Sequence, residues 1–313
     1  MNKKKKTTII ANFNCTFGKE NKPMLTYFKE IIFPAFTQPY VRTVGDDKYF
    51  FKDVQLKELE DKRLVLQGML IRKTKLEVRT EYDSEAEEIR FTNKFYDTAP
   101  ISIFTLFLDN HRLLYTTNQK GSPKISSFGA TIKDIIKRVV KEYNQTREDN
   151  EKIPFPQIDV VDVPSIKSIE EKLDSVKKIR KLKFRFFNPN GDFDTKSTFE
   201  WMFNELDEYG SKRGEISINS PTKIDKVKNS VVESKGFAEV KLEVNYNNGA
   251  KGNLDNSSLS EKFEMSLPEE SSAEAVSRIT VNTLKENELI KEIGKNNKEI
   301  FEKNKIKVKE LLS

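Results

Sequence analysis

The chain has 313 residues, enough for one large or two ordinary domains, with 55 Lys and Arg against 49 Asp and Glu. The resulting net charge of +6 favours a polyanionic partner, and 22 Phe supply bulky core material despite a charged fraction of 33%. One cysteine, Cys15, and one histidine, His111, exclude an intramolecular disulfide, a Cys/His zinc site and a Ser-His-Asp triad, and point to a reducing compartment.

Met1 to Lys6 is basic, but the following Thr7 to Phe13 is too short and too polar for a signal segment. No stretch approaches the roughly 18 to 20 apolar residues of a membrane span. A cytoplasmic protein without membrane insertion is expected. Ile9 to Phe17 alternates enough for a first strand, placed at a sheet edge by the lysines before it. Tyr27, Phe28, Ile31, Ile32, Phe33 and Phe36 form a helix-like core cluster that Pro34 interrupts. Tyr49 to Val54 is a strand, Glu60 to Lys62 a polar turn, and Arg63 to Arg79 a long strand. In it Leu70, Leu76 and Val78 share one side and Lys73, Lys75, Glu77 and Arg79 the other. Gly68 marks a bulge or bend in this strand, and Glu88 to Phe95 is the next one.

The run Ile101 to Leu108 is apolar enough for a buried central strand. Asp109 and Asn110 supply turn chemistry, His111 takes a structural place at the corner, and Arg112 to Thr116 returns toward a loop with Gly121 and Pro123. Ile132, Ile135, Ile136, Val139, Val140 and Tyr143 then recur at helical spacing, so a helix over Thr131 to Tyr143 lies on the sheet with Lys133, Lys137, Arg138 and Lys141 toward solvent.

Gln145 to Pro156 reads as a linker, dividing an N-terminal α+β domain at 1–147 from a C-terminal one at 157–313. The second domain opens with a strand, Ile158 to Val163, and a helix from Ser168 to Ile179 with the capping pattern Ser168-x-x-Glu171. Lys181 to Phe186 alternates strictly, and Asn188-Pro189-Asn190-Gly191 turns the chain. The pattern predicts a helix over Thr198 to Tyr209 that carries Trp201 and ends at Gly210, and another over Ile224 to Val232. Ala238 to Tyr246 is a strand, Asn247-Asn248-Gly249 a hairpin turn, and Phe263, Met265 and Leu267 mark the returning strand. A helical region follows, with the capping pattern Ser271-x-x-Glu274 and a charged tail that packs along the body or pairs with a second copy. The fold class is α+β: two mostly antiparallel sheet-plus-helix units with a helical C-terminal region.

Three cations on one strand carry the functional expectation. Lys181, Lys183 and Arg185 stand about 6.6 to 7 Å apart along their strand, close to the spacing of successive phosphates, about 6.8 Å if the axial rise is doubled. Such a row can follow a nucleic-acid backbone without reading bases. Lys177, Lys178 and Arg180 widen the stripe, and Lys120, Lys124, Lys137 and Arg138 offer further basic contacts. The alternative for the strand is an ordinary solvated face. The loop Asn118 to Lys124 does not match G-x-x-x-x-G-K-[ST], so P-loop hydrolysis is disfavoured. A metal-dependent nuclease could draw on Glu239 and Lys241 with Asp159 or Asp162.

In the order of its elements the chain resembles the RexA-type phage exclusion proteins and similar bacterial defence proteins. The residues concerned are the strand pair and loop leading into a helix, Phe107 to Ile136, the basic strand Lys181 to Phe186, and the closing region Leu259 to Glu274. The resemblance implies a cytoplasmic, dimeric, sequence-tolerant DNA-binding protein of phage defence, with a possible second defence component. The expected function is binding of double-stranded DNA through phosphate contacts, with no enzyme activity, cofactor or metal. The alternatives are a toxin-like nuclease and a protein-interaction module of a defence complex.

Overall fold

In a computed structural model, residues 3–187, 199–268 and 271–312 are described. The chain opens with β1 (Lys3–Phe17) and β2 (Lys22–Pro23), then winds through a 3-10 turn, a π-helical turn and α1 (Phe33–Thr37). Pro34 lies in the first turn of α1, where its missing N–H costs nothing, so it starts this helix and does not interrupt the cluster. β3 (Arg42–Val44), β4 (Asp47–Glu58), β5 (Leu64–Asp83), β6 (Glu88–Thr98), β7 (Ile101–Phe107) and β8 (Arg112–Thr117) follow as antiparallel strands. α2 (Ile125–Asn144) begins six residues before the expected start at Thr131 and buries Phe128 along with the apolar stripe. Phe128 meets Phe104, Phe51 and Tyr115 with ring centroids 5.3, 5.5 and 5.6 Å apart, joining helix to sheet.

β9 (Pro156–Asp162) and α3 (Ile166–Leu173) lead into β10 (Val176–Phe187), and then come α4 (Glu200–Glu208), β11 (Arg213–Asn219) and α5 (Ile224–Glu233). β12 (Ala238–Tyr246), β13 (Lys251–Asp255) and α6 (Asn256–Leu259) complete this part. β14 (Phe263–Pro268), α7 (Ala273–Leu284), α8 (Glu288–Lys291) and α9 (Lys295–Lys309) end the chain. The larger sheet runs β14-β1-β8-β7-β5-β4-β3, with β2 and β9 also on β1 and β6 on β5; the smaller runs β11-β10-β12-β13. Both are antiparallel, so the fold is α+β.

Several expectations are corrected. β1 is interior, not an edge: it pairs with β8 along one side and with β14 and then β9 along the other. Lys6, one of the lysines behind the edge reading, is 1% exposed and donates to Asn118 Oδ1 at 2.6 Å. Burial holds its pKa below the usual lysine value. The division at 147/157 does not separate the sheets either, because β9 and β14 both join the larger one, leaving the smaller sheet as an insertion between them. β14 therefore is not the strand returning on β12; that is β13.

The bulge near Gly68 lies in the opposing strand. The register slips between Lys52 and Gln55 of β4, where Asp53 has φ +51°. Gly68 leaves room for it: a Cβ there would sit 2.6 Å from Val54 Cγ2 and 3.2 Å from Phe104 Cε1. Helix starts are also displaced. Ser165, not Ser168, caps α3, and Ser272, not Ser271, caps α7. The chain from Val176 to Ile179, expected as helix, is strand.

Gly210 ends α4 with φ +61°, as its freedom allows. The Asn188 to Gly191 turn and the start of the helix at Thr198 lie outside the described residues. The tail packs on the body: Phe301 and Val308 enter the main core, and Lys309 pairs with Glu58 at 3.1 Å. Among the described residues no helix is long and apolar enough to cross a membrane.

Candidate nucleic-acid interface

Alternation in β10 does what its sequence requires. Leu182, Phe184 and Phe186 point into the small core with Phe199, Phe203, Val231, Val240 and Leu242, while Lys181, Lys183 and Arg185 occupy the open face. β10 is flanked on both sides, however, and the neighbours bring acid. Arg185 lies between Glu215 and Glu239, and Lys181 between Asn219 and Glu243. Arg185 pairs with Glu239 at 3.6 Å, Lys183 with Glu215 at 3.1 Å and Arg180 with Glu243 at 3.7 Å. The three cations stand in a row as expected, but they are interleaved with carboxylates, so the face is a mixed-charge lattice and not a positive ridge. A phosphate approaching Lys183 or Arg185 would meet the repulsion of Glu215 and Glu239 beside the attraction.

The start of β10 differs. Register slips between Val176 and Lys178 and between Ile179 and Lys181 turn Lys177 and Lys178 outward at the end of the sheet. They line an open cavity of about 610 Å³ together with Ser220, Thr222, Ile224, Asn245, Tyr246 and Gly249. Lys178, Asn245 and Lys251 form one row across three strands. Ile224 brings the first turn of α5, with its free backbone N–H groups, to the wall. Among the described residues no ion pair engages Lys177, Lys178 or Lys251. The nearest acid in the first turn of α5, Asp225, is turned to Lys228 at 3.9 Å.

The remaining basic residues belong to the larger unit. Lys120 and Lys124 lie in the loop before α2, and Lys137 is on its exposed side. Arg138 is occupied by Asp134 at 2.5 Å and by the Val41 carbonyl at 2.8 Å. These four do not share an element or a sheet with the cavity.

The nuclease constellation is not assembled. Glu239 lies on the small sheet beside Arg185, and Asp159 lies on β9, held by Arg213 at 2.8 Å. Asp162 is buried, which pushes its pKa up to about 6, with Asp255 nearby adding to the rise and Lys262 opposing it. Among the described residues no three of His, Cys, Asp and Glu are grouped to hold a metal ion.

What the sequence hid was the cavity. Its lysines were visible, but as the end of a helix, and its other wall depends on β11, whose Arg213 to Asn219 has only Ile216 and Ile218 as an apolar signal. No curated protein matches this chain. A family match, by contrast, runs from Lys6 in β1 to Val244 in β12, through most of both sheets. Since residues 6–244 match the family described as "Domain of unknown function (DUF4747)", the chain belongs to that family.

Proposed function

We propose that this protein binds nucleic acid, double-stranded DNA in the first instance, through phosphate contacts at the cavity lined by Lys177 and Lys178. The observation that carries this reading is the difference between the two ends of one strand: Lys183 and Arg185 paired with glutamates on the open face, and lysines free of ion pairs beside hydroxyls and helix N–H groups at the cavity. Lysine and backbone donors supply charge and hydrogen bonds to phosphate oxygens without reading bases. Binding is then tolerant of sequence and steeply dependent on salt. A cytoplasmic role in phage defence, the setting that the architectural resemblance implies, is the corresponding cellular reading.

The test is fluorescence anisotropy with a labelled duplex across about 50 to 200 mM salt, compared with single-stranded DNA and RNA. Lys177→Glu with Lys178→Glu should weaken binding on every duplex. Replacing both contacts should lower the slope of log K against log salt by about 1.8, two contacts at about 0.9 each. Lys181→Glu with Lys183→Glu and Arg185→Glu should weaken it far less. Absence of duplex binding at the lowest salt, or equal losses in the two variants, would overturn the reading.

A further inference from the structure

The ribbon formed by β5 and β6 extends past the rest of the larger sheet. The pairs Ile71–Ile101 and Thr74–Thr98 keep one register across Ala99 and Pro100, so β6 and β7 lie end to end along the 20-residue β5. On its other side β5 is paired by β4 only as far as Lys73, opposite Lys48. Beyond that point, among the described residues, this edge of β5 has no partner. The ribbon also exposes apolar side chains: the cross-strand pairs Leu76–Tyr96 and Tyr82–Ile89 are each at least half exposed, and Phe91 is 90% exposed. An unpaired edge and exposed aromatics are features that soluble monomers avoid.

The backbone direction along this edge follows from one bond. Arg72 N–H donates to the Pro100 carbonyl at 3.0 Å, so even-numbered residues of β5 turn their N–H and C=O toward β6 and β7. The slip in the β5–β6 ladder between Val78 and Thr80 adds its extra residue on β6, so this parity holds along β5. The odd-numbered Lys75, Glu77, Arg79 and Glu81 therefore present theirs at the open edge, with side chains on one face.

We infer that this edge pairs antiparallel with the same edge of a second copy of the chain, about a two-fold axis at Val78. In that register Lys75 faces Glu81 of the second copy and Glu77 faces its Arg79, each pair at a hydrogen-bonded position where both residues direct N–H and C=O across the interface. Each of these hydrogen-bonded pairs joins opposite charges. Sliding the axis to Glu77 sets Lys75 against Arg79 and Glu77 against itself; sliding it to Arg79 sets Glu77 against Glu81 and Arg79 against itself. Charge thus selects one register among those that the backbone parity allows. The ion pairs now present on the ribbon, Arg79–Glu77 at 2.9 Å and Lys94–Glu81 at 2.7 Å, are solvent-exposed, so exchanging them for intermolecular ones costs little. Strand addition also brings the exposed Leu76, Tyr82 and Tyr96 of the two copies onto one four-stranded surface. This inference is independent of the nucleic-acid reading.

Sedimentation equilibrium of the full chain, with circular dichroism to confirm folding, tests it. The wild-type chain should be a dimer at micromolar concentration. Lys75→Glu alone and Glu81→Lys alone each place like charges opposite one another twice per dimer, and each should raise the dissociation constant about tenfold or more. The two variants mixed should form a heterodimer, and the double variant Lys75→Glu/Glu81→Lys should recover self-association. Glu77→Pro, which removes an N–H from the open edge and none from the β6 ladder, should give a monomer by a route that does not involve charge reversal. A wild-type chain that stays monomeric at roughly 100 µM, or single variants that do not complement each other, would overturn the proposal.

Discussion

Arg63 grips Asp109 with two parallel bonds, Nε to Oδ2 and Nη2 to Oδ1, both 2.6 Å long. The same guanidinium lies over the Phe107 ring, 4.3 Å from its centroid, and donates from Nη1 to the Ile290 carbonyl at 2.9 Å. Asn110 adds a bond to that carbonyl at 2.7 Å, so the turn between β7 and β8 holds α8 against the sheet. With the Asp109 side chain only 5% exposed, removing Arg63 leaves a buried carboxylate without its partner. Arg63→Ala should cost about 3 kcal/mol in a urea titration. A loss under about 1 kcal/mol would show that water replaces the guanidinium freely.

Gly68 is required by the bulge it faces. Gly68→Ala should destabilise by about 1 to 3 kcal/mol, since the new methyl meets Val54 Cγ2 at 2.6 Å. Part of that loss should return when Val54→Ala is added, because Cγ2 is then gone and only the contacts with Val54 Cα at 3.0 Å and Phe104 Cε1 at 3.2 Å remain. Simple additivity of the two changes in a double-mutant cycle would place the strain elsewhere.

Asp162 gives stability a definite pH dependence. Its carboxyl titrates at about 6 in the fold against 3.8 in the unfolded chain. Between those values the unfolded chain has released a proton that the folded chain retains, so stability falls as pH rises from about 4 to 6 and the penalty stays constant above that. Asp162→Asn should therefore melt higher than wild type at pH 7, by an amount corresponding to about 2 to 3 kcal/mol, and match it near pH 4. A difference independent of pH would remove ionisation as its cause.

Cys15 reports on the integrity of β1. It is fully buried, and burial, with Asp159 adding a smaller effect, pushes its thiol well above the ordinary range. Aromatic disulfide reagents should label it only at the rate at which the strand opens, and immediately in denaturant. Rapid stoichiometric labelling of the native protein would contradict the position of β1.

How much of this could be read from the residues alone depended on the range of the interaction concerned. Period-two alternation in Lys181 to Phe186 and the helical stripe from Ile132 to Tyr143 are local properties, and both faces came out as expected. Whether Lys183 and Arg185 stand in open solvent or beside Glu215 and Glu239 is a question of strand order, on which alternation is silent. The same applies to Phe263, Met265 and Leu267: their spacing signals a strand, while its place beside Lys4 to Thr8 depends on contacts across most of the chain. Ser165 and Ser168, or Ser271 and Ser272, are equally good caps by chemistry, and packing of the helix that follows decides between them.

The pairing of Lys3 with Pro268 has a consequence for biosynthesis. A ribosome delivers the first strand long before the last one that it needs, so the nascent chain must hold a hydrophobic ribbon half-finished while the smaller sheet is still being made. Premature termination before β14 would release a product whose leading strand has an open flank, the kind of species that chaperones bind and proteases clear.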